Sequence, residues 1–372
     1  MASSPSRREV LLALNAARDL SRAAICRLGA DLDVWLESPM AQSAAAARLG
    51  LPAETLARAR ALRSRARAAA ALQVAAAELL GAHAVTLGEP DYPAALHELA
   101  LPPPVLFLRG EIPAKPAVAI VGSRRMDPYG REAATYFARA LAQAGVTVVS
   151  GFARGVDATA HEAALAVPGG ATVAVLGCGH AVDYPRGHGR LRQEIPGAGA
   201  VVSEFPCDQP PADWTFPVRN RLIAALSLGV LIVQAVPRSG SLVTARLALE
   251  QGREIWAVPG RIFEERGLGP NGLIRDGAQL VQHPQDILDA LPSWVRAALA
   301  PCAEPVGGIA APALTGLPGR ILRELTPGDP RPPEEIASLT GAALDEVLGT
   351  LLELELLGHL RRQPGPAYCR VC

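Results

Sequence analysis

The segment Ala117-Val118-Ala119-Ile120-Val121-Gly122-Ser123-Arg124 decides the fold, because a continuous apolar run ends directly in glycine and arginine. Similar short apolar runs follow it, and helix-forming stretches separate them. Runs without polar alternation are typical of strands buried on both faces. The sequence therefore predicts an α/β fold, an extended Rossmann-like, doubly wound, mostly parallel sheet. The predicted strands are Ala117–Val121, Val146–Ser150, Ala171–Leu176, Val201–Ser203, Val230–Val236 and Ile255–Val258, and the predicted helices between them are Tyr129–Ala144, Asp157–Ala166, Gly189–Ile195, Asn220–Leu228 and Ser241–Gln251.

Shifts in composition divide the 372 residues into four predicted parts. Residues 1–80 carry helix formers at helical spacing and are expected to form a SAM-like or helix-hairpin-helix-like domain with a turn at Leu28-Gly29, or else an ordinary helical bundle. Residues 84–290 hold the predicted sheet. Residues 291–318 are rich in Pro, Ala and Gly and are interpreted as a linker. Residues 319–372 show three short helices and a hairpin, the pattern of a winged helix.

Composition limits the possible functions. Hydrophobic residues make up 49% of the chain and charged residues 19%, as expected of a folded protein. The formal net charge is zero, so nucleic-acid binding would need a local basic patch. Lys115 is the single lysine among 36 basic residues, so nearly every cationic contact would come from the planar fork of arginine.

Neither a membrane span nor an export signal is expected. The longest apolar run, Ile223–Val236, is interrupted by polar residues, and the run after Arg7-Arg8 is too short for a twin-arginine signal. A cytoplasmic location is therefore predicted. Cys369-x-x-Cys372 lacks a second pair, so no metal site is expected.

Five candidate loops follow the predicted strands at the sheet edge where parallel sheets bind ligands. Each combines glycine or proline with arginine, which suits phosphate binding because glycine lets the backbone approach and arginine donates two hydrogen bonds. Helix N-termini after the loops would add positive dipole ends. Together the loops predict an arginine-lined rim. They contain Gly122-Ser123-Arg124-Arg125, Gly151-Phe152-Ala153-Arg154-Gly155-Val156-Asp157, Gly177-Cys178-Gly179 leading to Asp183-Tyr184-Pro185-Arg186, Phe216-Pro217-Val218-Arg219-Asn220-Arg221 and Pro237-Arg238-Ser239-Gly240-Ser241.

Aromatic residues interleave with these loops and could stack bases, as in grooves for single-stranded nucleic acid. They are Tyr129, Phe152, Tyr184 and Phe216, of which Phe152 is the one most expected to be a core residue.

Catalytic signatures are missing from the loops. The sequence contains no GxxxxGK[ST] motif, and Gly177-x-Gly179 is not completed to GxGxxG, so neither a P-loop nor a dinucleotide cofactor is predicted. Asp157 is interpreted as a helix N-cap and His161 as a packing or surface residue. We therefore predict no catalytic residue, no cofactor and no metal.

Six motifs in order resemble the DprA (Smf) family of DNA-processing proteins. They are Gly122-Ser123-Arg124, the loop from Gly151 to Asp157, Phe216-Pro217-x-Arg219-Asn220-Arg221, Ser239-Gly240-Ser241-Leu242-x-Thr244-Ala245, Ala257-Val258-Pro259-Gly260 and Gly269-x-Asn271-x-Leu273-Ile274. The resemblance covers residues 84–290. It implies a non-enzymatic protein that binds and protects incoming single-stranded DNA in natural transformation, helps to load the RecA recombinase, and forms homodimers through the later Rossmann-like region. Apolar candidates for that interface are Ile255, Leu268 and Ile274.

The resemblance also implies a set of DNA-binding residues. Gly122, Ser123 and Arg124 would hold a phosphate, and Arg154, Arg219 and Arg221 would line the same pocket. His188 stands where the family has Asn, and Arg186 or Arg190 could replace the lost contact. The complete predicted site is Gly122, Ser123, Arg124, Arg154, Tyr184, Arg186, Arg190, Phe216, Arg219, Asn220, Arg221, Ser239, Gly240 and Ser241.

Two other hypotheses remain at this point. A related Rossmann-like group of nucleoside-monophosphate phosphoribohydrolases uses a Pro-Gly-Gly-x-Gly-Thr loop followed by Glu, and Pro237–Ser241 is the comparable loop here. A purely structural adaptor would bind no nucleic acid. The candidate recognition helix of the winged helix, Ala342–Leu357, carries four acidic and no basic residues. The winged helix is therefore predicted to contact protein or to pack on a neighbour instead of binding duplex DNA.

Overall fold

The structure is a computed structural model, and it describes residues 4–36, 42–299, 316–326, 330–357, 359–363, 365 and 367–370. The chain divides into two compact units, Met1–Ala303 and Glu304–Cys372. Among the described residues, no helix combines the length and hydropathy needed to cross a bilayer.

Six helices open the first unit, as their spacing of apolar residues predicts. They are α1 Arg7–Ala16, α2 Arg22–Ala30, α3 Leu32–Trp35, α4 Gln42–Leu49, α5 Ala53–Leu62 and α6 Ala66–Glu78, with a 3₁₀ turn at Arg63–Arg65. Ser6 caps α1 with a capping box, in which the Ser6 hydroxyl accepts from the Glu9 amide and the Glu9 carboxylate accepts from the Ser6 amide.

The predicted turn at Leu28-Gly29 is wrong, because both residues lie inside α2 and are buried. A Cβ on Gly29 would stand 2.5 Å from Pro104 Cβ, so glycine here allows close packing of the helix against the chain that leads into the sheet. The N-terminal helices share one hydrophobic core with that sheet. The boundary between a helical domain of residues 1–80 and a sheet domain of residues 84–290 stays a prediction.

A mostly parallel sheet forms the centre of the first unit, and within the described residues it has nine strands. They are β1 His83–Thr86, β2 Val105–Gly110, β3 Ala117–Val121, β4 Thr147–Ser150, β5 Thr172–Val175, β6 Gly199–Ser203, β7 Gly229–Ile232, β8 Glu254–Ala257 and β9 Gln279–Leu280. Their order is β1-β2-β6-β5-β4-β3-β7-β8-β9. Strand β2 runs antiparallel to both of its neighbours, β1 and β6, and the other neighbouring strands are parallel. All six predicted strands are present, whereas β1, β2 and β9 were not predicted.

Helices cover both faces of the sheet, which confirms the doubly wound Rossmann-like fold. They are α7 Ala94–His97, α8 Pro128–Gln143, α9 Val156–Leu165, α10 Gly189–Glu194, α11 Thr215–Ala225, α12 Gly240–Glu250, α13 Glu265–Arg275, α14 Pro284–Ala290 and α15 Ser293–Arg296, with a 3₁₀ turn at Ile195–Gly197. Alternate residues of one strand enter the two cores: Val118 and Ile120 pack with α8 and α9, whereas Ala119 and Val121 pack with α11 and α12. This two-sided burial explains the continuous apolar runs.

The predicted linker of residues 291–318 differs from the structure at both ends. Leu291, Val295 and Leu299 pack into the core beside α8 and α14, and Leu317 already begins a helix of the second unit. Residues 300–315 lie outside the described residues.

The second unit has the predicted winged-helix elements. They are α16 Leu317–Glu324, α17 Pro333–Thr340, α18 Leu344–Leu356, β10 Leu360–Gln363 and β11 Ala367–Arg370. Strands β10 and β11 pair antiparallel as the hairpin, and the three helices share a core with Leu360 and Tyr368.

Candidate nucleic-acid interface

The candidate site is an open cleft at the switch point of the sheet. Neighbouring strands β3 and β7 lead into helices on opposite faces, α8 and α12, so a crevice opens between their carboxyl ends. The cleft has a volume of about 620 Å³. Nine of the predicted binding residues line the cleft: Gly122, Ser123, Arg124, Phe216, Arg219, Asn220, Ser239, Gly240 and Ser241. The lining also includes residues that were not predicted to bind DNA, among them Arg125, Asp157, Thr244, Glu264, Glu265 and Arg266.

The glycine loop after β3 forms one wall. A Cβ on Gly122 would stand 2.8 Å from Val156 Cγ2 and 3.0 Å from the Gln234 carbonyl oxygen, so only glycine fits. The Ser123 hydroxyl accepts from the Arg125 amide at 3.1 Å, which fixes the turn. The expected free helix N-terminus is not found here, because the Asp127 carboxylate caps α8 and accepts from the Gly130 amide at 2.9 Å. At this wall the arginines therefore supply the attraction for phosphate, whereas α12 begins at the opposite wall with Gly240 and has no side-chain cap.

A stack of one guanidinium and two rings borders the cleft. The exposed Arg124 guanidinium carbon lies 5.1 Å from the centroid of the Phe216 ring, within cation–π range. The Phe216 and Tyr184 ring centroids are 5.6 Å apart at an interplanar angle of 39°. A Cβ on Gly177 would approach the Phe216 ring to 2.7 Å, so this glycine makes room for the ring. Adjacent charge and aromatic surface suit a phosphate and its base.

Arg219 lies at the floor of the cleft and is only 4% exposed. Its Nη1 donates to the Val175 carbonyl oxygen at 2.7 Å, while its Nε has no partner among the described residues. A Cβ on Gly151 would stand 2.1 Å from Arg219 Nη1, so glycine is required there. Burial lowers the pKa of the Arg219 guanidinium to about 10, opposed by the negative charge of Asp157, and Arg219 stays cationic at neutral pH.

Asp157 is not the N-cap that the sequence analysis expected. Gly155 occupies the cap position of α9, with a φ of 80° that favours glycine. The helix begins at Val156, and Asp157 is its second residue. Its buried carboxylate accepts from the Ala153 amide at 3.3 Å. Burial raises the pKa of this carboxyl, while Arg219 acts in the opposite direction. Asp157 therefore serves as the buried counter-charge of the cleft floor.

The loop after β7 forms the opposite wall. The Ser239 and Ser241 hydroxyl oxygens are 2.8 Å apart, and the Asn220 side-chain amide donates to the Gly240 carbonyl oxygen at 3.3 Å. The latter contact ties α11 to the start of α12. These groups present small polar donors across from Arg124.

Comparison with known proteins places the chain in a family. Residues 83–292 match the family model described as DNA recombination-mediator protein A, and residues 309–366 match the DprA winged helix domain. The chain belongs to the DprA (Smf) family. It is 42% identical over 291 residues to Protein Smf of Escherichia coli K12, an alignment that covers 76% of each chain.

Two solved structures of the family are similar to it. DNA processing protein A (DprA) of Streptococcus pneumoniae gives a TM-score of 0.66 at 30% identity, covering 78% of this chain and 99% of that chain. DNA processing protein A of Helicobacter pylori, whose structure concerns its single-stranded DNA binding mode, gives a TM-score of 0.50 at 35% identity, covering 55% and 94%.

Three of the arginines suggested by the resemblance to DprA lie outside the cleft lining. Arg154 and Arg186 are exposed and adjoin each other, with Arg154 Nη2 3.5 Å from the Arg186 carbonyl oxygen. Arg190 lies on α10 and pairs with Glu194 at 2.7 Å.

The Arg221 side chain points away from the cleft, although the resemblance to DprA predicts that it lines the DNA-binding pocket. Its Nη2 donates to Glu204 Oε2 at 2.7 Å behind α11, and Arg22 Nε donates to the same oxygen at 3.2 Å. Glu204 is fully buried, so this cluster joins the N-terminal helices to the sheet. The predicted helix Asn220–Leu228 begins five residues too late, and the correct start at Thr215 places Phe216–Arg221 within the helix.

The two histidines near the cleft have structural surroundings. His161 is fully buried on α9, and its Nδ1–H donates to Thr172 Oγ1 at 2.6 Å because the Thr172 hydroxyl itself donates to the Val148 carbonyl oxygen. His188, at the position of the DprA asparagine, packs edge-on against the buried Phe152 ring at 5.4 Å. The interpretations of His161 and Phe152 as packing residues agree with this arrangement.

Two further candidates do not join the cleft. The Tyr129 hydroxyl donates to the Pro259 carbonyl oxygen at 2.7 Å, and its ring is not part of the lining. No cluster of metal-binding side chains occurs in the part of the chain that the structure describes. Cys369 is buried there, and Cys372 lies outside it.

Proposed function

We propose that this protein binds single-stranded DNA in the switch-point cleft as part of DNA processing in natural transformation. The observation that carries the proposal is the Arg124–Phe216–Tyr184 stack beside a floor that contains the buried cationic Arg219. The DNA-binding mode described for the Helicobacter pylori family member supports the same class of ligand.

The charges of the cleft favour phosphate at one side. Arg124 and Arg125 are exposed on the glycine loop after β3, and Arg219 adds charge from below. Phosphates held there would leave bases free to stack on Phe216 and Tyr184. Stacking is tolerant of sequence because every base has an aromatic face. We therefore expect binding with little sequence preference.

Fluorescence anisotropy of labelled oligo-dT and of a matched duplex, across a salt series, tests the proposal. The wild type should prefer the single strand, with a log–log salt slope near −3.5 if about five phosphates are contacted. Arg124→Ala should remove most of the affinity. Arg246→Ala is the matched control, because Arg246 is an exposed arginine paired with Glu250 on α12 outside the cleft lining. Equal binding by both variants, or none by the wild type, would overturn the proposal.

Loading of RecA and formation of a homodimer complete the proposed role. Among the three apolar candidates for the dimer interface, Leu268 is 44% exposed and Ile274 is half-buried, so both can reach a partner. Ile255 is buried in β8 and cannot. Sedimentation of Leu268→Glu should show loss of the dimer. RecA filament formation on single strands coated with a single-strand-binding protein, with and without this protein, tests the loading step.

The winged helix is proposed to contact protein. The exposed face of α18 has Leu344, Leu348, Leu352 and Leu356 beside Asp345, Glu346, Glu353 and Glu355. An acidic helix repels the DNA backbone. Measurable duplex binding by residues 310–372 would refute this proposal.

The protein is proposed to have no enzymatic activity of its own. The first turn of α12, which follows the loop comparable to that of the phosphoribohydrolases, contains no carboxylate. Chromatography of nucleoside monophosphates after incubation with the protein tests this directly. Release of free base would favour the hydrolase hypothesis.

A further inference from the structure

The segment of residues 260–267, here called the aromatic loop, lies between β8 and α13 and has no assigned function so far. Glu264 and Glu265 at its C-terminal side line the cleft. Its tip exposes two large apolar side chains, because Ile262 is 69% and Phe263 is 95% exposed. Such exposure leaves the Phe263 ring free to contact a ligand that enters the cleft.

The aromatic loop is held rigidly at its base. The Asn271 side chain makes two hydrogen bonds to Gly260, accepting from its amide at 3.0 Å and donating to its carbonyl oxygen at 2.9 Å. A Cβ on Gly260 would stand 2.5 Å from Gly267 Cα, so two glycines bring the ends of the loop together. The Arg266 carbonyl oxygen accepts from the Ala235 amide at 2.9 Å, which attaches the loop to the segment after β7.

The tip itself is closed as a turn. The Glu264 amide donates to the Arg261 carbonyl oxygen at 3.2 Å, and the Arg261 guanidinium pairs with the Glu264 carboxylate at 3.1 Å. Ile262 and Phe263 are the two central residues of this turn and therefore project outward. A fixed backbone lowers the entropy lost when the ring binds a partner.

Charge distinguishes this wall of the cleft from the opposite one. The glycine loop after β3 presents Arg124 and Arg125 to the cleft. The aromatic loop carries two arginines and two glutamates, so it has no net charge. A phosphate backbone is therefore attracted to the first wall more strongly than to the second. A strand in the cleft must then turn its phosphates toward Arg124 and its bases toward the aromatic loop.

We infer that the aromatic loop is the base-facing wall of the cleft and that Phe263 stacks on a base of the bound single strand. The inference rests on the proposed function, since it needs a strand in the cleft. It adds a contact on a loop outside the predicted site and fixes which side of the strand faces it. The alternative is that a second copy of this chain contacts the aromatic loop, and the experiment distinguishes that contact from DNA binding.

The experiment compares oligo-dT with an abasic strand of the same length, which keeps the phosphates and lacks the bases. Phe263→Ala should weaken binding of oligo-dT about tenfold, the size of one base–aromatic stack, and leave binding of the abasic strand unchanged. Phe263→Trp should restore the affinity, whereas Phe263→Leu should not, because leucine is apolar but cannot stack. Trp294→Ala is the matched control, since Trp294 is 70% exposed on α15, a helix that contributes no residue to the cleft lining.

Three outcomes would overturn the inference. One is unchanged oligo-dT binding by Phe263→Ala, and another is an equal loss for the abasic strand. The third is a change in sedimentation without a change in DNA affinity, which would assign the loop to contact between copies. Failure of the wild type to bind either strand would instead refute the proposed function, so the two failures are distinguishable.

Discussion

Arg219 and Arg221 lie two residues apart on α11, and their side chains reach opposite environments. Arg219 lies at the floor of the cleft near the buried Asp157, whereas Arg221 pairs with the buried Glu204 behind the helix. Two residues on an α-helix are separated by about 200° around its axis, so adjacent arginines of one motif face opposite ways. One face of α11 is thus available to a ligand, and the other attaches the N-terminal helices to the sheet.

The largest expected effect is a loss of stability caused by a substitution at the face of α11 that attaches the N-terminal helices. Glu204→Ala removes a fully buried carboxylate and leaves Arg22 and Arg221 without their shared partner. Uncompensated buried charge should lower the free energy of unfolding by about 3–5 kcal/mol. Urea unfolding measures the change. Glu194→Ala is the control, because its pair with Arg190 is exposed and should contribute less than about 1 kcal/mol. Equal effects of the two variants would show that the buried cluster does not carry the attachment.

A pair of variants separates the two functions assigned to the arginines. Arg221→Ala should lower the free energy of unfolding by about 1.5–3 kcal/mol, the range for a hydrogen bond to a charged group, because Glu204 keeps Arg22. Its affinity for oligo-dT should stay within about twofold of the wild-type affinity, a difference in binding free energy smaller than RT. Arg124→Ala should do the reverse, with stability within about 0.5 kcal/mol and affinity about tenfold to a hundredfold lower. Thermal unfolding and anisotropy on the same samples provide both readouts, and a large loss of DNA affinity in Arg221→Ala would contradict the separation.

The different environments of Arg219 and Arg221 illustrate what the sequence could and could not predict. Continuous apolar runs, three of which end in glycine, identified six strands, because burial on both faces leaves a clear pattern. The loops at their ends correctly grouped Gly122–Arg124 with Ser239–Ser241, since parallel strands bring their carboxyl ends to one edge. Arg221 could not be separated from Arg219, because Phe216–Arg221 was interpreted as a loop and a loop has no fixed faces.

Tertiary contacts account for the other differences. Gly29 lies inside a helix because Pro104 packs against it, and local propensity contains no information on that contact. The sequence analysis did not select the aromatic loop, because its two arginines are balanced by Glu264 and Glu265. Only the assembled cleft shows that this neutral loop lies opposite a cationic wall.

Two buried histidines, His161 and His180, should make the stability of the protein depend on pH. Burial lowers the pKa of His161 to about 3 and that of His180 to about 4, so both are neutral in the folded protein. The unfolded chain protonates them below its ordinary pKa of about 6.5, and stability falls as the pH drops below that value. At pH 5 each histidine should account for about 2 kcal/mol of that loss.

His161→Gln tests this quantity. The difference in the free energy of unfolding between pH 7 and pH 5 should be smaller in the variant by about 2 kcal/mol. His188→Gln is the control, because His188 is only partly buried and contributes less. An identical pH dependence of wild type and His161→Gln would show that His161 is not neutral in the folded state.

The smallest effect is expected in the winged helix. If α18 repels DNA and contacts protein, neutralising its acids changes nothing in the cleft. Asp345→Asn combined with Glu346→Gln should leave the oligo-dT affinity of the full chain within about twofold, since both exposed side chains lie in the first turn of a helix that offers no basic residue to a strand. Stability should fall by about 0.3–1 kcal/mol, because acidic residues in the first turn complement the helix dipole. A large gain in duplex binding would show that these acids alone keep the winged helix off DNA, so α18 would be a suppressed recognition helix and not a protein-contacting one.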